Sequence, residues 1–296
     1  FSTEYKSKCV NNNTINISLN IFNFTKLNAY LFLIYINMIK EICDRYNIKN
    51  YTINSDGSID VDGDVSLSNY DLDKMPLKFN KVGGHFSCSN NQLTSLKGSP
   101  ESVDGDFSCL VNKLTSLKGG PKSVGGYYDC NVNRLTSLEF MAGEIGESLF
   151  CAKNNLTTLK GCPEKINGSF HTHYNSLTSL EYGPKLVEGD FVCKSNYLTT
   201  LKGCPENIDG EFDCAGNLNL SDLKDFNSEF SGHFSCSRTC FYFLDNQEYD
   251  CISMFKRLNV IDGDTINRKK LMYLHSIFHF KFLKDEELSL YHYKVI

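Results

Sequence analysis

Several features that would mark an enzyme, a membrane protein or a nucleic-acid binder are missing from this chain. No Gly-x-Gly-x-x-Gly, phosphate-loop or His-Glu-x-x-His string occurs, so nucleotide binding and zinc-peptidase chemistry have no local support. No Cys-x-x-Cys pair occurs among the 13 cysteines, which removes a zinc ribbon or a thioredoxin-like redox site. The longest apolar run, 27–39, falls well short of the roughly 20 residues a membrane helix needs, so no membrane association is expected. Positive charge is not in excess. The formal net charge is −5, opposite in sign to a surface that binds phosphates, and no nucleic-acid partner is expected. An odd number of cysteines spread over 296 residues is also unlike a small disulfide scaffold.

What is present is a repeat. Cys88, Cys109, Cys130, Cys151, Thr172, Cys193 and Cys214 follow one another at intervals of 21 residues, and Cys236 comes after 22. Two residues before each stands a bulky apolar residue: Phe86, Phe107, Tyr128, Leu149, Phe170, Phe191, Phe212 and Phe234. Three residues after the first seven stands an asparagine: Asn91, Asn112, Asn133, Asn154, Asn175, Asn196 and Asn217. A leucine pair follows (Leu93/Leu96, Leu114/Leu117 and so on), then Pro in most repeats, then an aliphatic residue such as Val103 or Ile166. A degenerate repeat containing Val61, Val65, Leu67, Leu72 and Met75 precedes the regular ones, as a terminal repeat should.

The physical reading of this unit is direct. Phe-x-Cys alternates inward and outward with the period of a strand. Stacked repeats pair these strands into a parallel sheet, about 4.8 Å from one to the next. The recurrent Pro forbids a helix in each repeat, so loop, extended chain or short 3₁₀ turns are expected on the side away from that sheet. An asparagine where the chain leaves the strand has donors and an acceptor for backbone groups of its own turn and the next, and predicts a continuous ladder. The cysteine column reads as small buried thiols, aligned too nearly parallel to form disulfides, which implies a reducing, cytoplasmic or host intracellular compartment.

The string Phe-Ser-Cys-Ser-Asn-Asn-Gln-Leu-Thr-Ser-Leu (86–96) resembles the strand-and-turn signature of leucine-rich repeats, with Cys in one Leu slot. The short repeat with its Pro resembles those of bacterial secreted effectors. Closer still are repeat proteins encoded by bacteriophages and related mobile elements, which share Gly-Asp-Phe-x-Cys and Leu-Thr-Ser-Leu-x-Gly-Cys-Pro. The resemblance spans residues 59–236. It implies an α/β solenoid: a right-handed superhelix with a concave parallel sheet that binds a partner and a loop-rich convex side.

The flanks read differently. Residues 1–37 are expected to be a poorly ordered leader, or sequence upstream of a natural start at Met38, rather than an export signal. Residues 38–60 predict a cap made of a short helix (38–46) and a hairpin turning at Asp56-Gly57, and 61–236 the solenoid. Residues 237–296 predict a helical C-terminal cap, with helices over 246–258 and 265–278 divided by Asp262-Gly263-Asp264.

Three outward columns define the expected binding face. They begin at His85, Ser87 and Ser89 and recur in each repeat. Most of their members are small or polar. The middle repeats instead carry Tyr127, Phe150, His171, His173 and Val192, flanked by Asp129 and Asp190, an aromatic cluster with a polar rim suited to a protein partner. His171 and His173 share a face on which Asp190 or Asp129 would have to supply a third metal ligand, and without a fixed third ligand no metal site is assigned. The expectation is a monomeric, non-catalytic scaffold for protein–protein interaction, without cofactor. The alternative is a surface or virion-associated protein recognising a host protein or glycan.

Overall fold

The computed structural model describes residues 26–220, with side chains from Leu31 onward, and the short strands Glu229–Phe230, Phe234–Cys236, Ile261–Asp262, Thr265–Ile266 and Lys294–Val295. The chain divides into two compact parts, residues 1–155 and 156–296. Each is built of parallel β-solenoid turns of about 21 residues.

In the N-terminal part, helix α1 (Lys26–Arg45) comes first. It begins 12 residues before the helix expected at Met38, and residues 1–25 lie outside the described residues. Ile36, Ile39 and Cys43 recur at helical spacing and form its buried face. Strands β1 (Tyr51–Ile53) and β2 (Ile59–Val61) form an antiparallel hairpin, with Tyr51 opposite Val61 and Ile53 opposite Ile59. The Gly57 amide closes the turn on the Asn54 carbonyl at 3.0 Å, while Asp56 accepts the Ser58 amide at 3.0 Å. Gly57 sits at φ 77°, and a side chain there would also run into Tyr35.

Two sheets then grow side by side. The hairpin continues in parallel through Phe79–Val82, Ser102–Val103, Ser123–Val124 and Glu144–Ile145. The Phe-x-Cys strands form the second sheet: Val65–Ser66, Phe86–Ser87, Phe107–Ser108, Tyr128–Asp129 and Leu149–Phe150. Like residues pair with like, Phe86 with Phe107 and Phe107 with Tyr128. The C-terminal part repeats the plan. Lys165–Ile166, Leu186–Val187, Asn207–Ile208 and Glu229–Phe230 form one parallel sheet, and Phe170–His171, Phe191–Val192, Phe212–Cys214 and Phe234–Cys236 the other.

The side opposite the Phe-x-Cys strands is therefore not loop alone. The aliphatic residue closing each repeat (Val103, Val124, Ile145, Ile166, Val187, Ile208) stands in a short strand of its own. Two residues suffice, because an in-register neighbour supplies the hydrogen bonds that a lone dipeptide lacks. Among the described residues α1 is the one helix, so the architecture is a parallel β-solenoid with little helix rather than an α/β one. The helix expected from Thr265 does not begin there. Thr265–Ile266 is a strand, antiparallel to Ile261–Asp262 and parallel to Lys294–Val295. The rest of the helical cap expected over 237–296 lies outside the described residues.

The core follows the repeat. The Phe and Cys of each turn and both leucines are buried throughout the regular turns. Phe86 and Phe107 stack at 5.7 Å between centroids, and Phe191 stacks on Phe170 at 5.3 Å and on Phe212 at 5.5 Å. The asparagine ladder is continuous within each part. Asn133 Oδ1 accepts the Leu114 amide at 3.0 Å from the preceding turn, and its Nδ2 donates to the Cys109 and Cys130 carbonyls at 3.0 and 3.2 Å. Asn112 and Asn154 make the same bonds one turn to either side, as Asn196 and Asn217 do in the C-terminal part. The Thr172 hydroxyl, in the cysteine column, is buried without a hydrogen-bond partner among the protein atoms around it.

The ladder demands an unusual backbone. The residue before each asparagine has a left-handed conformation: Asn90, Val111, Val132 and Lys153 at φ 53–55°, then Tyr174 and Ser195 at φ 55° and 53°. Asn tolerates this region, but a β-branched Val does so at a cost.

Candidate functional site

The outward face of the second sheet is where the sequence places the binding residues. In the N-terminal part its early turns are closed off by their own hydroxyls. Ser68 and Ser87 lie 2.7 Å apart, Ser87 donates to Ser89 at 3.1 Å, and Ser89 meets Ser108 at 2.8 Å. Ser89 and Ser108 are buried by this packing, although the strand alternation points them outward. Such a network satisfies itself and leaves little for a partner to bind.

Two turns further on the chemistry changes. Tyr127 and Phe150, both half-buried, pack edge to face at 5.9 Å. Beside them Asp129 is partly buried and accepts the Asn131 amide at 2.9 Å. Burial raises its carboxyl above the ordinary value, and the Asn131 N–H works in the opposite direction. Asn131 in turn accepts the Ala152 amide at 2.6 Å. Asp129 thus shapes its own turn while presenting one carboxylate edge next to two aromatic rings.

The C-terminal part carries His171, His173, Asp190 and Val192, all half-buried. The two imidazoles lie 5.8 Å apart between centroids, and His173 meets the Tyr174 ring at 5.5 Å. Burial holds His171 below the usual imidazole range, while Asp190 pulls it up and Lys194 pushes it down. Burial thus favours the uncharged form of His171, and Val192 is paired to it on the adjacent strand. Asp190 has a structural role as well. Its Oδ1 accepts the Glu211 amide of the next turn at 2.8 Å, and its own amide donates to Ser169 Oγ at 3.1 Å. Asp64 and Asp106 do the same for His85 and Tyr127, at 2.8 and 3.0 Å. In this column His85, Asp106, Ser169 and Asp190 each accept an amide of the next turn, a role the sequence shows only as recurring polar side chains.

Among the described residues no three His, Cys, Asp or Glu side chains come together as a cation site. Four thiols of the cysteine column are held out of the nucleophilic range. Burial pushes Cys88 up to about 12 and raises Cys109, Cys130 and Cys193 as well.

One feature escaped the sequence reading. A second left-handed column runs through Gly98 (φ 101°), Gly119 (φ 90°), Gly161 (φ 94°) and Gly203 (φ 85°), but Phe140 (φ 67°) and Tyr182 (φ 66°) occupy two of its positions. Both aromatics are exposed, at 61% and 69%. The signal was available as two aromatic breaks in a glycine column, though only the backbone angles show that each is held in a conformation disfavoured for a side chain of that size.

By fold, the chain belongs to the class of parallel β-solenoid proteins with turns of about 21 residues. Comparison with protein-family models, with curated proteins and with solved structures gave no match.

Proposed function

We propose that the chain is a non-catalytic scaffold that binds a protein partner through the outward face of its Phe-x-Cys sheets, and that its repeats are of the short leucine-rich type. The observation that carries the reading is the Tyr127–Phe150 aromatic pair, half-buried on a sheet whose neighbouring turns are sealed by serine hydroxyls. Large, rigid aromatic surface with a carboxylate beside it is what hot spots are made of, because desolvating it on contact is favourable and costs little side-chain entropy. In the C-terminal part the half-buried His171, His173 and Val192 offer a patch of similar character. The leucine-repeat kinship rests on the strand, the asparagine and the leucine pair, which recur in that order. No cofactor is needed, the working form is a monomer, and the buried thiols of the cysteine column suit a reducing, intracellular compartment.

The test is a comparative capture. Wild-type chain and a Phe150→Ser, His171→Ser variant are immobilised and exposed to the same extract, and both are checked by far-UV circular dichroism. The variant is expected to keep the fold and lose the partners recovered by the wild type. Recovery of the same set by both discards this face as the binding surface.

A further inference from the structure

A solenoid turn here has three sides: two are sheets, and the third is the stretch from the ladder asparagine to the second left-handed turn. In the N-terminal part this third side stacks in register. The amides of Gln92, Lys113 and Arg134 donate to the carbonyls of Leu72, Leu93 and Leu114 at 2.8, 2.9 and 2.8 Å. Lys97 and Lys118 hold equivalent places, their amides bonded to Ser95 and Ser116 hydroxyls at 3.1 and 3.2 Å. Lys113 thus stands one turn from Arg134 and Lys97 one turn from Lys118, steps of about 4.8 Å. Thr94, Thr115 and Thr136 run between the two rows, all exposed.

These cations differ from others in the same part. Lys78, Lys81 and Lys122 each pair with a carboxylate, Asp56, Asp104 and Glu101 respectively. Lys97, Lys113 and Arg134 are exposed and make no ion pair among the described residues. Lys118 Nζ lies over the Phe140 ring at 5.9 Å from its centroid, the aromatic side chain held at positive φ in a glycine position. On a protein of net charge −5, unpaired cations gathered on one side beside an exposed, strained aromatic ring form a site for an anion.

We propose that this third side binds a short acidic oligosaccharide carrying sulfate or carboxylate groups. The strip is bounded, with Asp71 and Asp73 one turn before it and Glu139 at its far end, so it offers about three turns to a ligand. A nucleic-acid strand carries a charge roughly every 3.4 Å and gains affinity from long runs of phosphate contacts, which the bounding carboxylates and the net acidity oppose. A glycan with about one charge per sugar ring matches cations repeated once per turn. The threonine hydroxyls face the intervening hydroxyls of such a ligand, and Phe140 offers a flat apolar face to a sugar ring. The site is separate from the face assigned to a protein partner and stands or falls independently of it.

The experiment uses the full chain and a fluorescent chondroitin-sulfate-derived hexasaccharide, read by anisotropy, with a desulfated hexasaccharide and labelled poly-U RNA in parallel arms. Binding of the sulfated probe is expected, with about a tenfold loss for Lys113→Gln/Arg134→Gln and recovery in Lys113→Arg/Arg134→Lys. Lys81→Gln/Lys122→Gln removes the same charge from paired positions on another side and is expected to change affinity by less than about twofold. Equal loss in both glutamine pairs, tighter binding of poly-U than of the glycan, or no binding of the sulfated probe each overturns the proposal.

Discussion

Replacing Asn133 with Leu tests whether the asparagine ladder holds the solenoid together. Asn133 makes one bond that nothing else replaces. Its Oδ1 accepts the buried Leu114 amide at 3.0 Å, and a Leu side chain leaves that N–H without an acceptor. The carbonyl side is cushioned. Cys109 O also accepts from Asn112 Nδ2 at 3.1 Å, and Cys130 O from Asn154 Nδ2 at 3.0 Å, so both keep a donor when Asn133 is lost. The cost is therefore that of one orphaned buried amide, about 1–3 kcal/mol, and not a sum over every bond of the side chain. For a chain of this size that lowers the melting temperature by roughly 2–12 °C. Urea unfolding read by far-UV circular dichroism and by tyrosine fluorescence measures it, since the chain has no Trp. A midpoint unchanged within about 0.5 kcal/mol would show that the ladder only decorates a stack held by its apolar core, and a loss above about 5 kcal/mol would show that the cushioning by neighbouring rungs fails.

Three further outcomes are expected. Val132→Asn relieves a β-branched residue at φ 55°, and stability is expected to rise by about 1 kcal/mol, while Asn90→Val at the same place in its own turn loses a similar amount; unfolding midpoints that do not move in opposite directions would refute the strain. The buried thiols Cys88 and Cys43 are raised from 9.0 to about 12, so the fold favours the protonated form. That stabilisation is complete below pH 9 and declines as pH rises toward 12, because the unfolded chain ionises first. The melting temperature is expected to fall as pH rises through that window, and Ellman's reagent should label the half-buried Cys162 and Cys204 of the native protein ahead of the seven buried cysteines. A flat alkaline profile or uniform labelling contradicts the burial argument.

The repeat, its register and most of its core were legible in the residues because each is set by local chemistry repeated many times. A column of Phe, Cys, Asn and Leu at intervals of 21 residues allows one stacking that buries the apolar groups and pairs the amides, and Asp56-Gly57 fixes its hairpin through a left-handed glycine. What the alternation could not reveal was the sheet that continues from the hairpin. Ser102–Val103 is too short to announce a strand, and becomes one because the neighbouring turns present their backbone groups at the right spacing. The tertiary structure alone also decided which polar side chains are spoken for. Nothing in the sequence ties Asp106 or Asp190 to another turn, but the stack places the next turn's amide within reach of each carboxylate. Likewise, the stack sets Lys113 beside Arg134 without a carboxylate to pair either, and sets Phe140 where glycine is the rule. A sequence states which groups recur; only the packed turns determine which of them meet, because hydrogen bonds and charges act over a few ångströms in space whatever their separation along the chain.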